Sequence, residues 1–233
     1  MKEIYLIRHT TPLVAKGICY GQTDLDIADS FNAEAAIIRQ YLPEKMEAVH
    51  SSPLQRCSRL ASHLFPDHSM ELHNELMEIH CGEWEMKGWD ELPKEVIDPW
   101  MKDFVNVRIP GGESYLDLHE RVTRCFNGIR GITGRRDIGL TAGTGGDIIA
   151  GTDVGIKGPA GPDRTGPVAI VAHGGVIRSI LSYITDTPLI DSFKVFSLHY
   201  GCVIRLFGEP LQYEILSNPA PEVKEQHKPR SFY

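Results

Sequence analysis

The feature that most constrains this chain is a pair of short apolar runs, far apart in sequence, that each end in a histidine. Ile4-Tyr5-Leu6-Ile7 leads straight into Arg8-His9, and Val168-Ala169-Ile170-Val171-Ala172 leads into His173-Gly174-Gly175. Such runs, without polar alternation, suit strands buried on both faces of a parallel sheet. Thr10, Thr11 and Pro12 break the first pattern. In open α/β sheets, ligands bind outside the carboxyl ends of the strands. Arg8 and His9 therefore read as a phosphate clamp and a nucleophile. The plainer reading makes them the first polar residues where a strand surfaces, and this stretch alone leaves both open.

The second run adds weight to the first reading. Val176, Ile177, Ile180, Leu181 and Ile184 form one apolar stripe, which predicts a helix directly after His173. Gly174 and Gly175 let backbone approach an anion closely, and the start of a helix supplies oriented N–H donors. Two buried strands and one helix start thus converge on anion chemistry.

Bulk properties bound the remaining possibilities. With 233 residues, one large domain is expected rather than two. A hydrophobic content of 42% and a charged content of 24% fit an ordinary globular chain. The net charge of −7 argues against a nucleic acid or an anionic membrane as partner, since both call for a basic face. An anionic small molecule would need locally focused positive charge, which clustered arginines provide. The five cysteines are scattered, with no CxxC pair, and read as reduced thiols of a cytoplasmic protein. No metal-ligand spacing is evident, so neither metal nor cofactor is expected. Met1 leads almost at once into the first apolar run, which fits no signal peptide, and no run is long enough to span a bilayer.

Between the two histidine runs, residues 11–29 read as a loop. Within it, Cys19-Tyr20-Gly21-Gln22-Thr23-Asp24 could fold over the site and offer Gln22 and Thr23 to a ligand, or could be plain surface. Ser30 and Glu34 resemble a capping box for a helix over about 31–41. Residues 47–52 predict a short strand and turn, and Pro53 suits the first turn of a helix over about 54–65. Arg56 lies in that first turn, where a cation opposes the helix dipole, so it is best placed if it faces an anion; Arg59 reads as a surface residue. Leu76 to Met86 mixes three carboxylates with apolar residues. A carboxylate beside Met77 and Ile79 would be partly desolvated and suited to general-acid work, with Glu78, Glu83 and Glu85 all candidates. Trp89, Trp100 and Phe104 read as a lid or as packing. Ser114 with Asp117 predicts a capped helix to about 129. Residues 133–166 are rich in Gly, Thr and Asp, without periodicity, and read as a flexible insertion. Two strands are expected over 199–207 and 211–216 with a turn at Gly208-Glu209-Pro210, then a loose tail from about 218.

Four of these stretches, in this order, resemble the histidine phosphatase superfamily, the phosphoglycerate mutase-like phosphatases. They are Arg8-His9, Ser51-Ser52-Pro53-Leu54-Gln55-Arg56, the run from Glu78 to Glu85, and His173-Gly174-Gly175-Val176. The resemblance covers most of the chain outside 133–166 and the tail. It implies a three-layer α/β/α fold with a mostly parallel central sheet. It also implies a metal-independent phosphatase in which Arg8, Arg56 and His173 surround a phosphoryl group with His9, and Glu78 is the proton donor. Thr10 stands where the family usually has Gly, and the loop lacks an Asn that the family often has. The runs Gly82 to Met86 and Gly17 to Asp24 look most like those of alpha-ribazole-5'-phosphate phosphatases of the cobalamin pathway. A broad phosphatase or a phosphoglycerate mutase of the same fold is the alternative, and a non-catalytic phospho-ligand module a more remote one.

Overall fold

The computed structural model describes residues 3–131 and 166–220. Its centre is a six-stranded sheet in the order β3-β2-β4-β1-β5-β6. The strands are β1 Ile4–Arg8, β2 Ala48–Ser51, β3 Met70–Leu72, β4 Val168–Ala172, β5 Val203–Phe207 and β6 Gln212–Ser217. β1 to β4 pair in parallel, and β5 and β6 join antiparallel at one side. Helices cover both faces, giving a mixed α/β fold with a mostly parallel sheet. They are α1 Phe31–Arg39, α2 Gln55–Leu64, α3 Lys94–Lys102, α4 Tyr115–Ile129, α5 Gly174–Thr185 and the single turn α6 Ser192–Val195.

The unbroken apolar runs have a direct cause. Successive strand residues point to opposite faces. Ile4, Leu6, Val168 and Ile170 pack with Leu118, Val122 and Phe126 of α4 and Ile177 and Ile180 of α5. Tyr5, Ile7, Ala169 and Val171 pack instead with Phe31, Ala35 and Ile38 of α1 and Leu60 and Leu64 of α2. Both faces are dry, so no polar alternation is tolerated. Each fully buried aliphatic side chain contributes roughly 1.5–3 kcal/mol.

Register then decides what meets at the sheet's end. Arg8 pairs with Ala172, and Ser51 pairs with Val171. The residues one step beyond, His9, Ser52 and His173, therefore emerge at a common edge. Backbone bonds hold that edge: His9 N–H donates to Ala172 O (3.1 Å), and Ser52 N–H donates to Val171 O (3.0 Å).

Several local expectations need correction. The side chain of Ser30 does not cap α1, because its backbone is already helical (φ −70°, ψ −8°). Ser30 Oγ instead donates to Glu34 Oε1 (2.5 Å), while Glu34 Oε2 accepts the Thr11 N–H (2.8 Å). Leu54, not Pro53, precedes the first helical residue of α2. The edge strand β3 and helix α3, which tolerates Pro99 in its interior, had no clear sequence signal. Ser114 and Asp117 do form the reciprocal capping box of α4. The trio Trp89, Trp100 and Phe104 is packing: Trp89 stacks on Trp100 at 6.0 Å and Phe104 packs edge-on to Phe193 at 5.2 Å. Asn218, the expected start of the loose tail, is tied in. Its Oδ1 accepts the His199 N–H and its Nδ2 donates to Ser197 O, both at 2.8 Å. The glycine-rich stretch, apart from Gly166, and the tail beyond 220 lie outside the described residues.

Candidate active site

His9 and His173 meet at the sheet edge with ring centroids 5.1 Å apart. They are only 2% and 0% exposed. Their wide separation in sequence is closed by the parallel pairing of β1 and β4. His9 Nδ1 lies 2.7 Å from Thr10 O. A carbonyl can only accept, so Nδ1 carries the proton, and the neutral ring presents its lone pair at Nε2. This is the tautomer a nucleophilic imidazole needs.

His173 sits at the N-cap of α5. Its Nε2 is 2.8 Å from Ser52 Oγ and 3.4 Å from Cys57 Sγ. Burial pushes its pKa well below the ordinary 6.5, and the charges of Arg56, His9, Arg8 and Arg121 push in the same direction. A dianion among these cations would act in the opposite sense and favour the imidazolium. Burial likewise pushes the Cys57 thiol up to about 12, so this neighbour is an inert filler rather than a rival nucleophile.

Two arginines flank the pair. Arg8 Nη1 donates to Leu198 O (2.7 Å), and its guanidinium lies 4.0 Å over the Tyr200 ring. Arg56 is fully buried; Nη1 donates to Thr23 O (2.9 Å) and Nη2 to Gly21 O (2.6 Å). Both acceptors are neutral carbonyls, so the charge of Arg56 is not consumed by a carboxylate among the described residues. Arg59, by contrast, pairs with Asp26 at the surface, as its surface reading expects.

The three candidate carboxylates separate cleanly. Glu83 is exposed. Glu85 is a staple: Oε2 accepts from Gly21 N–H (3.0 Å) and Thr23 Oγ1 (2.6 Å), and Oε1 from Gln22 N–H (2.8 Å) and Cys81 N–H (3.0 Å). Burial would raise its pKa, but the Thr23 hydroxyl and the backbone donors outweigh it and hold the carboxyl below its usual range. A carboxylate so held is a poor proton donor. Glu78 lies at the start of α5, where Oε2 accepts the Gly175 N–H (3.0 Å) and Oε1 its neighbour Ile79 N–H (2.9 Å). It thus binds a residue two positions from His173, on the donors of the helix start.

Gln22 and Thr23 are brought close, but their polar groups anchor the loop. Gln22 Nε2 donates to Glu78 O (3.1 Å), and the Thr23 hydroxyl is committed to Glu85. Gly174 is needed for close approach: a Cβ there would lie 3.3 Å from Arg8 Nε and 2.9 Å from Arg178 Nη1.

Sequence reasoning missed further members of this edge. Tyr20 OH and Tyr200 OH share a 2.6 Å hydrogen bond, joining the loop to the segment before β5. Arg178 is buried in α5, donates from Nε to Phe196 O (3.0 Å), and lies over Phe193. A cation inside an otherwise apolar helix was the signal that could have found it. Arg121 grips the acid-bearing segment through Glu75 O, Met77 O and Glu78 O (2.6, 2.7 and 2.9 Å), and also bridges Glu113. The Thr10 hydroxyl is buried without a hydrogen-bond partner among the described residues.

Two imidazoles, His9 and His173, thus lie together at one sheet edge with the buried guanidiniums of Arg8 and Arg56 and the carboxylate of Glu78. The chain belongs to the histidine phosphatase superfamily (branch 1), whose sequence profile matches residues 4–143, and it is a phosphatase of that class. The protein named "Putative phosphoserine phosphatase 2" of Hydrogenobacter thermophilus is 24% identical, over 90% of this chain and 92% of its own. Glucosyl-3-phosphoglycerate phosphatase of Mycolicibacterium vanbaalenii is 26% identical, over 84% and 79%. The alpha-ribazole phosphatase structure from Shigella flexneri superposes with a TM-score of 0.74 at 18% identity, covering 95% and 99% of the two chains. All five cysteines are free thiols. Among the described residues no helix is long and apolar enough to cross a membrane.

Proposed function

We propose that the protein hydrolyses a small phosphate monoester through a phosphohistidine on His9. The observation that supports this most is the bond from His9 Nδ1 to Thr10 O, which leaves Nε2 as the attacking atom. In this reading Nε2 attacks phosphorus in line and the ester oxygen leaves with a proton from Glu78. Water, deprotonated by the same carboxylate, then displaces the histidine and releases phosphate. Arg8, Arg56 and protonated His173 balance the charge on the equatorial oxygens, helped by the backbone at Gly174. These guanidiniums supply the positive charge, so the reaction needs no metal or cofactor. Gln22 and Thr23 shape the loop above the phosphoryl group and border the leaving group.

The substrate we favour is alpha-ribazole-5'-phosphate. The reading rests on the motif resemblance at Gly17 to Asp24 and Gly82 to Met86, and a solved alpha-ribazole phosphatase shares the fold. The relatives in sequence carry the names of phosphoserine and glucosyl-3-phosphoglycerate phosphatases, so those two esters are the first competitors. The test is a comparison of kcat/KM for alpha-ribazole phosphate, phosphoserine and glucosyl-3-phosphoglycerate, with 3-phosphoglycerate isomerisation assayed alongside. At least a hundredfold preference for alpha-ribazole phosphate is expected. Preference for another ester overturns the substrate, and efficient isomerisation overturns hydrolysis as the main activity.

A further inference from the structure

A second cluster of ligating side chains lies on the outer half of the sheet, in β2 two residues before Ser52 and in and after the edge strand β3. His50 is in β2, Glu71 is its register partner in β3, and His73 follows β3 directly. His50 Nδ1 and His73 Nε2 are 2.9 Å apart. The Glu71 Oε2 atom lies 3.6 Å from the first and 4.0 Å from the second. The geometry points to a binding site for a divalent transition-metal ion of the zinc class, held by His50 Nδ1, His73 Nε2 and the Glu71 carboxylate.

Three features carry this. The donor set, two imidazoles and one carboxylate, suits zinc. The spacing also suits it: ligands about 2.0–2.1 Å from a tetrahedral ion stand roughly 3.3 Å from one another. Small rotations of His73 and Glu71 convert the observed triangle into that one. The burial gradient is that of an entered site, with side-chain exposures of 7% for His50, 24% for His73 and 60% for Glu71. His50 is fixed by the sheet, and the exposed Glu71 side chain can close over an ion from solvent.

As it stands, one of the two facing nitrogens donates a hydrogen to the other. Metal binding requires that proton to move to the far nitrogen of its ring, so that both facing atoms offer lone pairs. The site would cross-link the short edge strand β3 to β2. It would also fix the chain at His73, a short way before Glu78. Around His73, Glu75 and Cys125 form a neighbouring group that could compete for the same ion.

The test uses the full-length protein, freed of metal with a chelator and titrated with zinc. One tight equivalent is expected, together with a rise in Tm of roughly 5 °C once zinc exceeds Kd a hundredfold. Glu71→Gln, at an exposed side chain, and His73→Asn should each weaken binding by at least about tenfold with unchanged far-UV circular dichroism. His9→Asn should keep the equivalent. Cobalt should give a tetrahedral visible spectrum without a sulfur charge-transfer band. Binding only at millimolar zinc overturns the proposal, as does loss of the equivalent in His9→Asn, which would place the ion on the catalytic pair. A sulfur band, or full binding in Glu71→Gln, would move the ion to the Cys125 group and overturn it equally.

Discussion

The N–H of Gly175 donates to Glu78 Oε2 at 3.0 Å, and a Cβ on Gly175 would stand 2.3 Å from Glu78 Oε1. The second glycine after His173 thus makes room for the Glu78 carboxylate, the proton donor of the proposed mechanism. Gly175→Ala should expel the carboxylate from the helix start while leaving the α5 backbone helical. We expect the rate of phosphoenzyme formation from an alkyl phosphate, the step in which the leaving group takes its proton, to fall by about a hundredfold, within the usual range for lost acid catalysis. With p-nitrophenyl phosphate, whose leaving group needs no proton, the fall should be under tenfold. Equal losses on both would separate Glu78 from the acid role.

Glu78→Gln is the companion experiment. It keeps the shape and one of the two backbone bonds, to Gly175 or to Ile79, but removes the transferable proton. The same leaving-group asymmetry is expected, with Tm lowered by only a few degrees. Stopped-flow assays of the two esters supply the comparison.

Arg121 touches no reacting atom. It positions Glu78 by binding three carbonyls of residues 75–78 while pairing with Glu113, whose Oε2 also accepts the His80 N–H. Arg121→Lys keeps the charge but loses the planar fork. Stability should fall by about 1 kcal/mol as these partly buried and exposed carbonyls lose partners. The kcat for an alkyl phosphate should fall about tenfold with KM little changed, and the alkaline limb of the pH–kcat profile, which a general acid sets, should shift. A pure stability loss with an unaltered pH profile would make Arg121 structural only.

Two groups give stability a defined pH dependence. The folded pKa of Glu85 lies below its ordinary 4.5. Its contribution is therefore complete above about pH 4.5 and is lost as pH falls through the folded value. His173 is depressed below 6.5, so the unfolded chain takes up its proton first. Stability from this group is full above about pH 6.5 and declines as pH drops from there toward the low folded value. Tm measured from pH 8 down to about pH 2.5 should thus decline in two windows. Glu85→Gln should flatten the lower one and leave the upper one in place. A Tm that rises as pH is lowered from about 6.5 to 5 would contradict the neutral buried His173.

How much of this was legible in the residues follows from where the determining contacts lie. β1 and β4 could be read because both faces of each are buried, and an apolar run without alternation fits few positions in a fold besides a covered strand. The α4 cap could be read because Ser114 and Asp117 satisfy each other within one turn. β3 could not: it is an edge strand of three residues, largely exposed, held by pairing to β2 rather than by any pattern of its own. The distinction between Glu78 and Glu85 was equally hidden. Both sit in one polar stretch, and only the fold brings Gly21 and Gln22 onto one and Gly175 onto the other. The same holds for Tyr20 with Tyr200, 180 positions apart.

The proposed phosphohistidine on His9 is best sought by rapid quench of the enzyme with a radiolabelled phosphate ester, followed by mapping of the labelled peptide. An acid-labile, base-stable phosphoryl group is expected on His9, formed and consumed at rates compatible with turnover. It should be absent in His9→Ala, which should have lost activity. Turnover by His9→Ala near the level of the unmodified protein, or label that never appears on residue 9, would contradict a nucleophilic His9.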